Sequence, residues 1–204
     1  MKLYGADASP FVRKIRVVII ECGLESRVED VAVAVAPIAP DDQVNENNPL
    51  GKIPALVTDD GLSLFDSRVI AEYLDSLVDG VALIPAAGDA RWHTLRLQAL
   101  ADGIMDAGVL RRYETFLRPD EKRWGDWVAG QKAKISRSLD VLEQRADRLA
   151  DRLDIGTIAL ACALGYLDFR FAVDEWRHDR PGLAAFYEGF AARDSMQRTQ
   201  PPAG

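Results

Sequence analysis

Sulfur and imidazole are scarce in this chain: two cysteines, Cys22 and Cys162, and two histidines, His93 and His178, stand among 204 residues. No pair of them has CxxC or zinc-ligand spacing, so neither a metal site nor a dithiol redox motif is expected. Each cysteine lies in an apolar, helix-like stretch and reads as a buried structural residue. Basic residues are also in short supply, with 25 Lys and Arg against 32 Asp and Glu and a formal charge of -7. A nucleic-acid partner or an anionic membrane surface calls for the opposite balance. Long apolar runs are missing too: stretches such as "VVII" and "VAVAVAP" fall well short of the roughly 20 residues that span a bilayer. The N-terminal residues lack a basic segment followed by an apolar one. The expectation is a soluble, cytoplasmic protein of one or two domains, with neither nucleic acid nor membrane as a partner.

What is present has a clear order. "MKLYG" reads as a short strand, and "SPFVRKI" then turns abruptly into an amphipathic helix. Ser9 followed by Pro10 gives two helix-start signals in register. The same turn leaves unpaired N–H groups and the positive end of a helix dipole beside a hydroxyl, which suits an anion. A cap and an anion site do not exclude each other. The helix is expected to stop at Gly23 as a left-handed C-cap. "RVEDVAVAV" reads as a second strand, making a right-handed βαβ unit with parallel strands.

After the polar stretch "PDDQVNENN", "ALV" and "LSLF" flank "TDDG" as a β-hairpin. A helix from Asp66 then carries Val69, Ile70, Tyr73, Leu74 and Leu77 on one face. The Pro/Gly-rich "VDGVALIPAAGD" ends this α/β part. From Ala90 onward only helical periodicities remain, broken at "RPDE", "RLDIG" and "DRPG". The predicted organisation is an α/β domain at 1–78, a linker at 79–89 and an all-α domain at 90–204. "IGTIALACALGYLDFRF" is apolar on nearly every side and is expected to be the central helix of the second domain.

Three segments of the first domain, "SPFVRKI", "NPLGKIPALV" and "FDSRVIAEYLD", resemble the thioredoxin-like half of the glutathione S-transferases. "ALACALGYLDFR" resembles the helical half of the same family. The tail "DRPGLAAFYEGFAARDSMQRTQPP" and the segment "ALADGIMDAG" are similar to a bacterial, YibF-like subgroup. The implied fold is a thioredoxin-like βαβ-ββα domain followed by an all-α domain, and the implied ligand is glutathione, as co-substrate.

The resemblance implies a role for each motif. Pro54 of "KIP" is expected in a cis peptide, with the Ile53 backbone pairing like a strand edge with the cysteinyl part of glutathione. Lys52 would meet the glycyl carboxylate. Ser67, at a helix N-terminus, would hold the γ-glutamyl carboxylate, and Asp66 its ammonium, while also capping the helix. Ser9 would donate to the glutathione sulfur and favour the thiolate, with Phe11 beside it. Ionising most of a thiol with a pKa near 8.5 at pH 7 takes a shift of about two units, nearly 3 kcal/mol. One charge-assisted hydrogen bond supplies roughly 1.5–3 kcal/mol and a helix dipole up to about 2 kcal/mol. Tyr4 competes for the donor role but reads better as a sheet residue.

Where thioredoxin-like oxidoreductases carry CPxC, this chain has Ser9-Pro10-Phe11-Val12, which removes thiol–disulfide exchange at this turn. Many relatives open the central helix with Ser or Thr followed three residues later by Asp. Here Asp154 and Thr157 exchange those places, and an altered capping box is expected. Asp168 is expected to be held by local hydrogen bonds. The resemblance implies a transferase that attacks a small hydrophobic electrophile and assembles as a homodimer. A glutathione-dependent peroxidase and a non-catalytic binding or regulatory protein of this fold remain open beside it. By family geometry the electrophile pocket is lined by residues such as Phe11, Met105, Val109 and Arg112, a pattern that core packing also produces. Asp102 and Asp106 share a helix face, which reads either as a solvated acidic face or as one buried near a ligand or dimer axis. On the family pattern Asp102 is the candidate for the γ-glutamyl ammonium of glutathione, commonly that on the partner subunit.

Overall fold

The computed structural model describes residues 1–80, 82–150 and 152–202. Val81 of the expected linker, and Asp151, Ala203 and Gly204 of the expected second domain, lie outside the described residues. In chain order the elements are β1 (Lys2–Gly5), α1 (Pro10–Glu21), β2 (Glu29–Ala32), α2 (Asp42–Asn47), β3 (Ala55–Val57), β4 (Ser63–Leu64), α3 (Ser67–Asp75), α4 (Gly88–Phe116), α5 (Gly125–Glu143), α6 (Ile155–Phe171), α7 (Pro181–Ala191) and α8 (Asp194–Arg198). Met1–Arg91 together with the C-terminal segment from Asp194 forms one compact unit, and Trp92–Arg193 forms the other.

In the first unit the sheet order is β2-β1-β3-β4. The β1–β2 pair is parallel, with Leu3 opposite Asp30, as a βαβ crossover requires. The β1–β3 and β3–β4 pairs are antiparallel. Strand β2 is shorter than the expected 27–35 because it is an edge strand whose only ladder partner is the four-residue β1. Along α1, Val12, Ile15, Val18 and Ile19 are buried, the apolar stripe that drives this helix onto the sheet. Gly5 permits that approach, since a Cβ there would fall 2.5 Å from Val12 Cγ1.

Gly23 takes the left-handed conformation expected of it, at φ 64°. The helix α2 falls inside the polar stretch read as a connection. Its single buried residue, Val44, leaves almost no apolar period, and Asp41 starts it by accepting from the Val44 N–H. On α3 the inward face is Ile70, Ala71 and Leu74, whereas Val69, expected to face inward, is 47% exposed. The segment 194–202, expected in the helical domain, belongs with the first unit. Met196 is fully buried, its carbonyl accepts from Arg13 Nη2 at 3.1 Å, and Ser195 Oγ donates to Glu21 Oε1 at 2.5 Å.

The second unit is built around α6, which is buried on every side from Ile155 to Leu167. By length and composition Ile155–Asp174 would suffice to cross a membrane, but 78% of that window is buried by protein. Its start is the altered capping box. The Thr157 N–H donates to Asp154 Oδ1 and the Asp154 N–H donates to Thr157 Oγ1, both at 3.0 Å. On α5 a stripe of Gln131, Ile135, Leu139 and Leu142 is buried at helical spacing. Glu143, its last residue, accepts from the Gly182 and Leu183 N–H groups at 2.9 and 2.8 Å and so caps α7.

Candidate functional site

The register of the sheet assembles three of the sequence motifs. Tyr4 lies opposite Ala55, so the turn after β1, which carries Ser9, sits at the same end of the sheet as the segment leading into β3, which carries Ile53 and Pro54. Strand β4 runs antiparallel to β3 and therefore in the direction of β1. The helix that follows it, α3, consequently begins at that same end, with Asp66 and Ser67 at its N-terminus. Two helix N-termini, each with a hydroxyl residue, thus open beside an unpaired stretch of backbone.

Ser9 is half-buried and caps α1: its Oγ accepts from the Val12 N–H at 3.3 Å. That bond uses an oxygen lone pair and leaves the hydroxyl proton available to a further acceptor. Pro10 occupies the first helical turn, where a missing N–H costs nothing. Phe11 is half-buried, with Lys14 Nζ 5.8 Å from its ring centroid. The Ile53–Pro54 peptide is cis, as is Phe65–Asp66. The Ile53 N–H and C=O make no hydrogen bond among the described residues, while Lys52 is exposed. Asp66 caps α3 by accepting from the Arg68 N–H at 2.9 Å, and Ser67 is buried.

A residue that the motif reading passed over fixes this loop. Asn48 is 2% exposed, donates through Nδ2 to the Lys52 carbonyl at 2.8 Å, and accepts from the Leu50 N–H at 3.1 Å. Its signal was the Asn-Pro dipeptide at 48–49, a turn former whose side chain pairs with nearby backbone.

Asp102 belongs to the second unit, on α4, and is 1% exposed, whereas Asp106 one turn later is exposed. Of the two, Asp106 faces solvent and Asp102 is buried. Met105 is fully buried, and Val109 and Arg112 are half-buried. Tyr4 is a sheet residue paired across β1 with Val31 and Ala55. Asp168 accepts from Trp176 Nε1 at 2.8 Å and from Arg177, a local anchoring role.

Neither cysteine is built for chemistry. Cys162 is buried in α6; Cys22, expected to be buried, is half-buried because it is the C-cap of α1 rather than part of its inward face. Partial burial, with Asp75 and Glu21 nearby, pushes its thiol up to about 11. Among the described residues no cluster of His, Cys, Asp and Glu could hold a metal ion.

A mixed four-stranded sheet with helices opening at one end, followed by a bundle around a buried helix, defines the thioredoxin-like plus helical architecture. The glutathione S-transferase N-terminal domain matches residues 8–77, and the glutathione S-transferase C-terminal domain matches residues 125–189. The chain belongs to the glutathione S-transferase family. It is 40% identical over 205 residues to the uncharacterized GST-like protein YibF of Escherichia coli (strain K12), covering 99% of each chain. It also matches a glutathione transferase family member from Pseudomonas fluorescens Pf-5, solved with bound glutathione, at 53% identity and a TM-score of 0.97 over 98% of each chain. A second structure of a Pf-5 family member, with bound S-(propanoic acid)-glutathione, matches at 51% identity and a TM-score of 0.92, over 99% of this chain and 100% of that one.

Proposed function

We propose that this chain binds glutathione through the first domain, 1–78, and transfers it as the thiolate to a small electrophile. The observation that carries the reading is the shared sheet end at which the N-termini of α1 and α3 open, with Ser9 and Ser67 on them and an unpaired Ile53 backbone between. Each part of glutathione then has a matching group. The thiolate takes the free proton of Ser9 and the dipole of α1, beside Phe11, and the cysteinyl backbone pairs with Ile53 ahead of Pro54. The γ-glutamyl carboxylate takes the N-terminus of α3 at Ser67, its ammonium takes Asp66, and Lys52 faces the glycyl carboxylate. The similar Pf-5 proteins, solved with glutathione and with a glutathione S-conjugate, support both the ligand and the reaction type. Kinship also supports a cytoplasmic homodimer in which Asp102 reaches a glutathione ammonium, and the net charge of -7 supports partners other than nucleic acid.

The test is Ser9→Ala with chlorodinitrobenzene as acceptor. Losing a charge-assisted hydrogen bond lowers kcat/KM about ten- to a hundredfold and moves the acid limb of the pH–rate profile up by about one to two units. The dissociation constant for glutathione changes little. An unchanged rate and profile would reduce Ser9 to a cap. Turnover of peroxides without conjugation would favour the peroxidase reading, and glutathione binding without any turnover the regulatory one.

A further inference from the structure

The loop between α2 and β3 is anchored by one side chain. Pro49, Leu50 and Lys52 are exposed, yet Asn48, directly before them, is 2% exposed. Its N–H donates to the Val44 carbonyl at 2.7 Å, and its carbonyl accepts from the Gly51 N–H at 2.8 Å. Gly51 turns at φ 62°, a left-handed value open to glycine, so the chain doubles back on Asn48 within four residues. The side chain then adds two bonds, with Oδ1 accepting from the Leu50 N–H at 3.1 Å and Nδ2 donating to the Lys52 carbonyl at 2.8 Å. A donor faces one arm of the amide and an acceptor the other, which fixes its orientation.

The second of those bonds acts beyond the turn. The Lys52 carbonyl and the Ile53 N–H belong to one planar, trans peptide unit and therefore point in opposite directions. Holding the carbonyl toward buried Asn48 holds the N–H away from it. That N–H makes no hydrogen bond among the described residues. A donor on the carbonyl also polarises the peptide, which makes its N–H a stronger donor than that of an unbonded unit. Asn48 thus both aims this N–H and strengthens it, and a donor fixed before its acceptor arrives costs less ordering on binding.

We propose that Asn48 is a positioning residue for the backbone of glutathione: through the Lys52–Ile53 peptide it presents the Ile53 N–H to the cysteinyl carbonyl, and so sets affinity for the tripeptide without touching it. The proposal rests on the glutathione-binding reading above and adds to it a residue outside the contact surface. Its effect is the converse of that of Ser9, since it falls on binding of the tripeptide rather than on ionisation of the thiol.

The experiment measures dissociation constants by calorimetry for glutathione and for its ester analogue, in which glycolate replaces glycine and the cysteinyl carbonyl becomes a weaker acceptor. The parent is expected to bind the ester several-fold more weakly. Asn48→Ala is expected to bind glutathione about tenfold more weakly, the scale of one hydrogen bond, and its ester-to-glutathione ratio to fall about fivefold below that of the parent. The glycyl N–H that the ester also lacks affects both proteins alike, so the change in ratio reports on the Ile53 donor alone. Ultraviolet titration of the bound thiol should move by less than about half a unit, whereas Ser9→Ala moves it further. If Asn48→Ala does not fold, Asn48→Asp replaces it: the carboxylate keeps the shape and the bond from Leu50 but has no proton for the Lys52 carbonyl, and the same fall in ratio is expected. A residue that only stabilised the loop would weaken both ligands equally. An unchanged ratio in the variant, or a parent that binds the two ligands alike, therefore overturns the proposal while the glutathione reading stands. A parent that binds no glutathione overturns both.

Discussion

Single atoms decide several properties of this molecule. The Cys22 thiol, held at about 11 by partial burial and two nearby carboxylates, is ionised in only about one molecule in ten thousand at neutral pH. Cys162, on α6, is fully buried. Native protein exposed to a maleimide near pH 7 should therefore remain unmodified, by intact mass, over the time in which a cysteine-containing peptide reacts fully. Both thiols should add the reagent once urea unfolds the chain. An adduct on native Cys22 would contradict the burial argument. The glycines act just as locally. A Cβ at Gly156 would stand 2.8 Å from the Thr94 carbonyl oxygen, a backbone atom with little freedom to withdraw, whereas one at Gly5 would meet a valine methyl at 2.5 Å. Gly156→Ala is expected to cost about 1–3 kcal/mol in urea unfolding, and Gly5→Ala at least as much, because Val12 is a buried, β-branched helix residue whose two methyls and Cβ all lie within 3.4 Å of the new atom.

At the scale of elements, the start of α6 shows how much rests on one cap. Asp154 accepts from the Thr157 N–H and also takes Arg152 at 2.5 Å, while Thr157 returns a bond to the Asp154 N–H. Asp154→Ala should destabilise the protein by about 2 kcal/mol, the upper range for caps, because it also leaves Arg152 and the largely buried Thr94 hydroxyl without that acceptor. Thr157→Val removes the return bond together with the hydroxyl's donation to the Arg152 or Asp154 carbonyl, leaves the Asp154 side chain in place, and should cost about 1 kcal/mol. Equal losses in chemical denaturation would show that the two bonds do not act as a reciprocal pair. This box was readable in the sequence because Asp and Thr three apart before an apolar run carry their own mechanism. So were α1 with its apolar period and Gly23 stop, β3, α3 apart from the exposed Val69, and α6, which is apolar on nearly every side. Helix α2 was not, since one buried valine gives no period, and α8 was not, since its place beside α1 depends on Met196 and Ser195 finding Arg13 and Glu21 more than 170 residues away in sequence. The candidate site divided along the same line. Ser9, Pro54 and Asp66 signal themselves through local turn chemistry, whereas the bond from Asn48 to the Lys52 carbonyl that braces the loop shows only in three dimensions, its one local sign being the Asn-Pro dipeptide.

For the molecule as a whole, an excess of acids makes pH the natural probe, and Asp174 is the acid to watch. Burial alone would raise its pKa, yet Arg111 and Lys132 hold it below the ordinary value of 3.8. It joins α4 through Arg111 and α5 through Lys132 to the turn that follows α6. A carboxyl whose folded pKa lies below its unfolded one binds protons more readily when unfolded, so stability rises with pH across that interval. The contribution is therefore complete above about 3.8 and drains away as pH falls through the lower, folded pKa. Asp174→Asn removes the charge and with it this dependence. The melting temperature of the variant should lie below that of the parent at neutral pH, and the gap should narrow steadily once the pH drops below the ordinary carboxylate range. High salt should shrink the gap only partly, because the pair is mostly withdrawn from solvent. A gap that stays constant into strong acid would mean that Asp174 stabilises the helical unit through packing or neutral hydrogen bonds, not through its charge.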